Sequence, residues 1–587
     1  MSAIATDSEL FGHPKGLYVC FTTELWERFS FYGMKYLLLL YLTKYHLFSD
    51  AAGYDILGAY AGLVYALPLI GGLLADRYLG MRKAVVFGAI LLSAGHATMA
   101  YEGNQAMVYT AGSVLQQATE LPNGQHLAAG HVFETDLLVQ DTPALKVFFF
   151  ALALITLGVG FLKPNISAIV GRLYGENDNR RDAGYTIYYM GINTGAFMAI
   201  LLCGWLGESF GWNYGFGAAG IGMLIGLGSF LYGQKYLQGH AEPPQTSTLK
   251  NVLFGPINVE WAIYLGALLS LSIVWWLVQH EPVIHVAQNS LLIVAIVGLI
   301  FYSLSYKHHT VWHDKIALTL AAASIMFGLI WAITGQDFGL GLMLLGLLAF
   351  ISYGFKTNNS AEYSRTVVLM FLILTTVVFW ALFEQSAGSM TLYADRVTDR
   401  QLGSVEIKAS MFGSLNSGFI ILLAIPLAIF WTYLGRRQLE PNTPIKFGLA
   451  IIQAGLGFGA LVLGAEFADD NGKVGMIWLV LAYLLHTTGE LCISPVGLSA
   501  VSKLSIQKVV GVSMGTWFLA TALSETISTR IGKLASIDTS SAEGADAITV
   551  LNTYTELYDL LMWVGLGVGI IVIALSPLLK KGMRGIH

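Results

Sequence analysis

Charged residues are scarce in this sequence. Only 12% of the 587 residues are Asp, Glu, Lys or Arg, whereas 55% are hydrophobic. This composition excludes an ordinary soluble protein and predicts a chain that crosses a membrane several times. The net charge of -5 is small for the length, which argues against a nucleic-acid partner.

Cysteine is scarcer still. The three cysteines, Cys20, Cys203 and Cys492, lie in apolar runs without CxxC spacing. They exclude a disulfide framework and a zinc site, so we expect packing residues and neither a metal nor a cofactor. The sequence also lacks a basic n-region and a small-residue cleavage site before its first apolar run, which is therefore expected to be a retained span.

The first apolar run, 17–42, carries four charged side chains. They are Glu24, Glu27, Arg28 and Lys35. Each charge at membrane depth costs roughly 2.5–3.5 kcal/mol, so such residues are kept mainly where they face a cavity. At about 100° per residue their spacing places all four on one helix face, with Tyr32 beside them. We interpret this helix as the lining of a water-filled path through a transporter.

Sixteen apolar runs are long enough to span a bilayer. Lys and Arg are concentrated in the loops on the side of the N-terminus, which predicts that both termini are cytoplasmic in a cell membrane protein. The distribution of Lys and Arg does not distinguish fourteen spans from sixteen. Removing two adjacent spans leaves every other loop on the same side of the membrane.

Two connecting segments divide the chain. Residues 102–145 form a long acidic loop, and residues 235–258 form a linker followed by four almost uncharged spans. The pattern predicts an all-α polytopic membrane protein with 6+6 helices, a parallel-repeat plan, and an inserted helical cassette, 14–16 helices in total. The expected units are 1–234 (first six-helix bundle), 235–363 (linker and inserted helices) and 364–587 (second six-helix bundle).

Other charged residues lie inside later spans. Lys163 precedes Pro164, which loosens a helix where a cavity is lined. Glu384 is followed eleven residues later by Asp395, which is either an interfacial acid or part of the site. Glu490 has Ser494 one turn later on the same face.

Several further polar residues allow a simpler interpretation. Asn193 and Asn416 lie in mid-span, where asparagine serves either a site or helix-to-helix bonding. Glu525 is expected to be interfacial and His486 to be packed. The histidines His308, His309 and His313 are expected in a solvated loop and not in a metal site.

The charges inside the spans comprise four acids and three bases. They are Glu24, Glu27, Arg28, Lys35, Lys163, Glu384 and Glu490. Standing alone and charged they would cost on the order of 20 kcal/mol, so they must be paired, hydrated or protonated. Protonating one acid frees its basic partner, which would couple proton entry to the release of an ion pair.

Six ordered motifs in both halves resemble the proton-coupled oligopeptide transporters of the major facilitator superfamily. The motifs are Glu24-x-x-Glu27-Arg28-Phe29 with Tyr32-Gly33, GGLLADRYLG (71–80), FLKPN (161–165), YYMGINTG (188–195), FWALFEQ (379–385) and GELCISPVGLS (489–499). The resemblance implies proton-driven uptake of di- and tripeptides by alternating access.

The resemblance also implies roles for individual residues. Proton coupling would use Glu24, Glu27, Arg28, Lys163, Glu384 and Glu490. The peptide would meet Arg28, Lys35 and Lys163 at its carboxylate, Glu490 at its amino group, Asn193 and Asn416 along its backbone, and Tyr32, Tyr65, Ser494 and Trp517 as pocket walls. Lys163 with Glu490 would pair the two bundles, and Lys35 with Asp395 would form an outer gate.

Two other functions remain open at this point. A relative with other pocket side chains would carry another small charged solute, such as an amino acid or nitrate. An intramembrane enzyme is disfavoured because the HExxH motif is absent. The expected partners are peptides, protons and the lipid bilayer, and the expected state is a monomer.

Overall fold

The structure is a computed structural model that describes residues 9–174, 178, 180–306, 314–357, 360–537 and 546–586. Within these ranges the chain is built almost entirely from helices, and sixteen of them have nineteen residues or more. Apolar runs of this length form helices in a bilayer because a helix satisfies all of its backbone groups internally. The histidines at 308, 309 and 313 lie outside the described residues.

The helices fall into three consecutive groups. The N-terminal helices are α1 (Lys15–Lys44), α2 (Asp50–Leu74), α3 (Met81–Met99), α4 (Thr142–Arg172), α5 (Arg181–Phe210) and α6 (Trp212–Gly233). The cassette helices are α7 (Thr246–Lys250), α8 (Val259–Leu277), α9 (Glu281–Ser305), α10 (Lys315–Thr334) and α11 (Asp337–Thr357). The C-terminal helices are α12 (Ala361–Phe383), α13 (Ser389–Arg396), α14 (Ser414–Arg436), α15 (Thr443–Ala465), α16 (Met476–Leu504), α17 (Val510–Gly532) and α18 (Ala547–Gly582).

Short turns and strands complete the secondary structure. The turns are the π-helical Ala75–Leu79 and the 3-10 segments Gln234–Leu237, Glu384–Ala387, Ala409–Gly413, Gln507–Val509 and Lys533–Ala535. The strands are β1 (Glu9–Leu10), β2 (His13–Pro14), β3 (Met107–Tyr109), β4 (Thr119–Glu120), β5 (His126–Leu127), β6 (Leu137–Val139), β7 (Val252–Phe254), β8 (Ile257–Asn258), β9 (Thr398–Asp399), β10 (Gln401–Leu402), β11 (Val405–Glu406) and β12 (Val474–Gly475).

Thirteen of the described helical stretches are long and apolar enough to cross a membrane by length and composition. Three further long helices, α1, α3 and α17, are of spanning length but more polar. Together they make sixteen, the upper end of the predicted range, and the all-α polytopic fold is confirmed. The boundaries at 234 and 363 between the three predicted units stay a prediction.

The two ends of the helices lie on opposite sides. We call the side that carries residues 45–49, 100–141 and 397–408 the loop side. The opposite side, where α1 begins and α18 ends, is the terminal side. On the terminal side the Arg365 guanidinium donates to the carbonyl oxygen of Met583 at 3.3 Å, which joins the start of α12 to the end of α18.

The long loop after α3 forms paired strands on the loop side. Strand β3 pairs with β6 and β4 with β5, both antiparallel. Tyr45, just after α1, donates a hydrogen bond to the carbonyl oxygen of Gly103 at 2.8 Å. This contact ties the start of the predicted acidic loop to the end of the first helix.

The predicted span 364–393 is divided in two. Helix α12 ends at Phe383, a 3-10 segment covers Glu384–Ala387, and α13 begins at Ser389 after Gly388. Gln385 fixes this break because its Nε2 donates to the carbonyl oxygen of Ser528 on α17 at 2.7 Å. The break places the Glu384 carboxylate beside the neighbouring helices.

The cassette rests on both halves through α9. Gln288 of α9 lies against Gly62 of α2 and also accepts a hydrogen bond from Thr526 of α17 at 3.0 Å. The buried Glu281 accepts two hydrogen bonds from Arg530, at 3.0 and 3.2 Å. The inserted helices are thus bonded to α17.

Candidate functional site

The ionic face of α1 is buried within the protein. The residues Glu24, Glu27, Arg28 and Lys35 are each no more than 3% exposed. Arg28 Nε lies 3.1 Å from Glu24 Oε1, and Arg28 also bonds the Glu27 carboxylate. All four charges are therefore buried, and Arg28 bonds both of the acids that precede it on α1.

This cluster has unused bonding capacity. Glu24 Oε2, Glu27 Oε1 and Arg28 Nη2 have no hydrogen-bond partner within the described residues. An unpartnered buried polar atom costs about 1–3 kcal/mol, and more when it is charged. The three atoms are therefore suited to a proton, water or a substrate carboxylate.

Lys163 approaches the same cluster from α4. Its Nζ lies 4.1 Å from the ring centroid of Tyr65 on α2, in a cation–π contact. It is within electrostatic range of Glu24, Glu27 and Arg28. Asn165, two residues later, donates to the carbonyl oxygen of Phe161 at 2.6 Å, a bond within its own helix.

Glu490, in the C-terminal helices, accepts a hydrogen bond from a neighbouring asparagine. Asn416 Nδ2 on α14 donates to Glu490 Oε2 at 2.9 Å and to Thr487 Oγ1 at 3.1 Å. The predicted Lys163–Glu490 pair is not formed in this structure. Each partner instead has the contact just described, Tyr65 for Lys163 and Asn416 for Glu490.

The predicted gate between Lys35 and Asp395 is also not formed. Lys35 Nζ lies 2.8 Å from Glu384 Oε2 and 2.9 Å from Glu525 Oε1, whereas Asp395 pairs with Lys44 at 2.8 Å. The reason is depth, because Lys35 and Lys44 are separated by nine residues of α1, about 13 Å along a helix. Asp395 lies at the loop-side end, level with Lys44.

Glu525 is a site residue that sequence reasoning missed. It was expected at the membrane interface, yet it is only 3% exposed and bonded to Lys35. Its spacing from the end of α17 suggested an interfacial position. An acid within a span that also carries several Ser and Thr residues was the available signal for a buried role.

The predicted wall residues occupy both halves. Asn193 Nδ2 donates to the carbonyl oxygen of Tyr189 at 3.1 Å. Trp517 is buried and its indole lies against Gly497 of α16, while Ser494 Oγ has no hydrogen-bond partner among the described residues. The ring centroid of Tyr32 lies 6.0 Å from Arg28 Cζ, in a cation–π contact.

The two halves are joined on the loop side. Arg396 donates two hydrogen bonds to Asp50, at 2.6 and 2.7 Å. Lys533 bonds Asp55, and the Glu208 carboxylate accepts from Ser410 Oγ at 2.6 Å. These contacts lie between the N-terminal helices and three C-terminal elements, namely α13, the 3-10 segment Lys533–Ala535 and the Ala409–Gly413 turn. The structure therefore has a closed loop side above the buried charges.

Acids and bases from two helix groups thus converge on one interior region below a closed side. Sixteen long helices with this arrangement define a transporter of the major facilitator type. A model described as the POT family matches residues 82–551. The chain belongs to this family.

Related proteins match nearly the whole chain. It is 32% identical over 582 residues to an uncharacterized transporter, YclF, of Bacillus subtilis (strain 168), with 98% of this chain and 96% of the relative covered. It is 32% identical to the peptide transporter YePEPT of Yersinia enterocolitica, covering 89% of this chain and 88% of that protein.

Solved structures agree with the fold. A crystal structure of a peptide transporter POT in complex with sulfate is 29% identical, with a TM-score of 0.67 and coverage of 98% and 97% of the two chains. A POT family transporter in complex with 5-aminolevulinic acid is 25% identical, with a TM-score of 0.67 and coverage of 97% and 98%.

Proposed function

We propose that this protein is a proton-driven symporter that imports di- and tripeptides by alternating access. Its membership of the POT family and its similarity to proteins named as peptide transporters support this function. The observation that carries it is the separation of charge between the two groups of helices. Free cationic capacity lies on the N-terminal helices at Arg28 and Lys163, and a carboxylate, Glu490, lies on the C-terminal helices.

This separation matches the two charged ends of a peptide. The peptide carboxylate would bind Arg28 and Lys163, because Lys35 is already held by Glu384 and Glu525. The peptide amino group would bind Glu490. Asn193, Asn416 and Ser494 offer neutral bonding groups for the backbone, and Tyr32, Tyr65 and Trp517 provide walls. A peptide in this position would touch both halves and bring them together.

Proton coupling follows from the sharing of Arg28. Two carboxylates, Glu24 and Glu27, share one guanidinium. A proton on either of them removes one negative charge, and Arg28 then has capacity for the peptide carboxylate. Without the proton, the peptide carboxylate would be a third negative charge around Arg28 and Lys163. Peptide and proton therefore favour each other's binding.

Uptake into proteoliposomes tests this function. Labelled dialanine should accumulate when the outside is more acidic than the lumen. The Glu27→Gln variant should lose driven uptake but keep exchange of dialanine across the membrane, since its neutral side chain imitates the protonated acid. The exposed Glu466, outside the site, provides the control Glu466→Gln, which should behave as wild type. Wild-type uptake that ignores the pH gradient would reject peptide–proton symport.

A second candidate substrate is a small amino acid. The relative solved with 5-aminolevulinic acid holds a ligand with one amino group and one carboxylate. In the same assay, unlabelled dialanine and 5-aminolevulinic acid should be compared as competitors. Stronger competition by dialanine supports peptide transport, and stronger competition by 5-aminolevulinic acid supports the alternative.

A further inference from the structure

One lysine is shared by two carboxylates at the contact between the halves. Lys35 of α1 lies 2.8 Å from Glu384, in the 3-10 segment after α12, and 2.9 Å from Glu525 on α17. The three side chains are 3%, 12% and 4% exposed. Both carboxylates thus approach the same ammonium group from the C-terminal half.

The charges of this triad do not balance. If all three groups are ionised, the buried triad carries a net charge of -1. A buried charge without a partner costs several kcal/mol, whereas one proton on either carboxyl group makes the triad neutral. Two ionised carboxylates that share one site repel each other, so keeping both ionised costs more free energy than keeping one ionised.

No further cation described nearby corrects this imbalance. The charged and titratable groups on the elements packed around Glu525 include Lys35 on α1, Tyr60 and Tyr65 on α2, Glu384 in the 3-10 segment, Glu281 and His285 on α9, His486 and Glu490 on α16, Arg530 at the end of α17 and Lys533 just after it. Arg530 pairs with Glu281 and Lys533 with Asp55. Span residues 366–383 of α12 contain no charged residue.

The surrounding bonds hold Glu525 in place. Thr526, the next residue, donates to Gln288 of α9 at 3.0 Å. Ser528, one turn further on, accepts from Gln385 in the same 3-10 segment as Glu384. Glu384 and Glu525 therefore belong to elements that are bonded to each other, and neither is free to leave the triad while the other stays.

We propose that Glu525 is a second proton-carrying carboxylate of this transporter, and that Glu384 and Glu525 share one proton whenever Lys35 joins them. Closing the loop side then takes up one proton, and opening it, which separates α1 from α17 and hydrates the three groups, releases that proton. The role in transport rests on the proposed function, but the shared proton does not.

Distances between the halves test this proposal without any substrate. Spin labels at Ser209→Cys and Asn471→Cys would report loop-side closure from pH-dependent distance distributions. In the wild type the ratio of closed to open molecules should fall as pH rises, and the triad should contribute up to about tenfold per pH unit, the limit for one proton. Glu525→Gln leaves one carboxylate opposite Lys35, and this pair is neutral without an added proton. The closed-to-open ratio of the variant should therefore depend less steeply on pH, by the contribution of one proton.

Two further variants sharpen the test. Glu384→Gln should lose the same one-proton dependence, and it replaces Glu525→Gln if that variant does not fold. Glu466→Gln removes an exposed acid near the loop side and should keep the wild-type slope. An infrared titration should show the carbonyl band of a protonated carboxylic acid in the wild type that is absent in Glu525→Gln.

A Glu525→Gln protein with the wild-type slope and the wild-type carbonyl band would overturn the shared proton. That result would leave the proposed function standing, because gradient-driven dialanine uptake is measured separately. Conversely, a shared proton in a protein that does not transport dialanine would support the triad and reject the proposed substrate.

Discussion

The partners of a charged residue decide its role more than the residue type does. Lys35 and Lys163 are both lysines within spans, but Lys35 is saturated by two carboxylates whereas Lys163 faces the ring of Tyr65. Lys163 therefore keeps capacity for a substrate anion. In the same way, Glu490 receives one hydrogen bond from Asn416 and has room for a cation.

Replacing the Glu490 carboxylate by an amide tests its role in binding the peptide amino group. Glu490→Gln should weaken dialanine binding about 10- to 100-fold, because a hydrogen bond to a charged group is worth roughly 1.5–3 kcal/mol. Binding of N-acetyl-dialanine, which has no charged amino group, should change little. Competition against labelled dialanine measures both affinities.

Thr488→Val on the same helix is the matched control. Within the part of the chain that the structure describes, Thr488 Oγ1 donates to two carbonyl oxygens of its own helix, those of Leu484 and Leu485. Its loss should leave both affinities unchanged. Equal weakening of both peptides by Glu490→Gln would contradict an amino-group site at this residue.

The helices of the C-terminal half pack closely where two glycines meet. Gly455 of α15 and Gly565 of α18 face each other, and a Cβ at Gly565 would lie 2.6 Å from the Cα atom of Gly455. Small residues permit such backbone contact between helices in a membrane. The contact determines the position of α15, whose Ala454 carbonyl oxygen lies 3.0 Å from His486 Nε2.

Replacing Gly565 by a large residue tests the contact between α15 and α18. Gly565→Leu should destabilise the protein by about 1–3 kcal/mol or more, because overpacking forces helices apart. Thermal unfolding in detergent, followed by tryptophan fluorescence, measures the loss. Gly567→Leu is the control, since a Cβ at Gly567 has open space. A similar loss in both variants would show that helix propensity or lipid contact, and not the α15–α18 approach, is responsible.

The helices were predictable because the bilayer requires long apolar runs, and the inward face of α1 was predictable from helical periodicity. The break after Phe383 was missed because Glu384–Ala387 contains no proline and lies between two predicted parts of one span, and its conformation depends on the bond from Gln385 to Ser528 of a distant helix. The partners of Lys35 were missed for the same reason. Ion pairing between the two halves depends on how deep each charged residue lies along its helix relative to the other half, and a single sequence does not determine this.

At the scale of the whole molecule, contacts between the halves are arranged in levels. The buried triad of Lys35, Glu384 and Glu525 lies deeper, and the pairs Lys44–Asp395 and Asp50–Arg396 lie nearer the loop side. Alternating access requires all of these to separate when the loop side opens. Burial makes the triad sensitive to protons, whereas a partly exposed pair such as Lys44–Asp395 contributes only about 0–1 kcal/mol.

The central claim is that proton and peptide move together past the buried charges of this protein. Proteoliposomes with equal pH on both sides, no membrane potential, and a pH-sensitive dye inside test it directly. Addition of dialanine outside should acidify the lumen in the wild type, because each entering peptide brings protons. The Glu27→Gln variant should exchange labelled dialanine without acidifying the lumen. Entry of dialanine into wild-type vesicles with no change in internal pH would contradict the account.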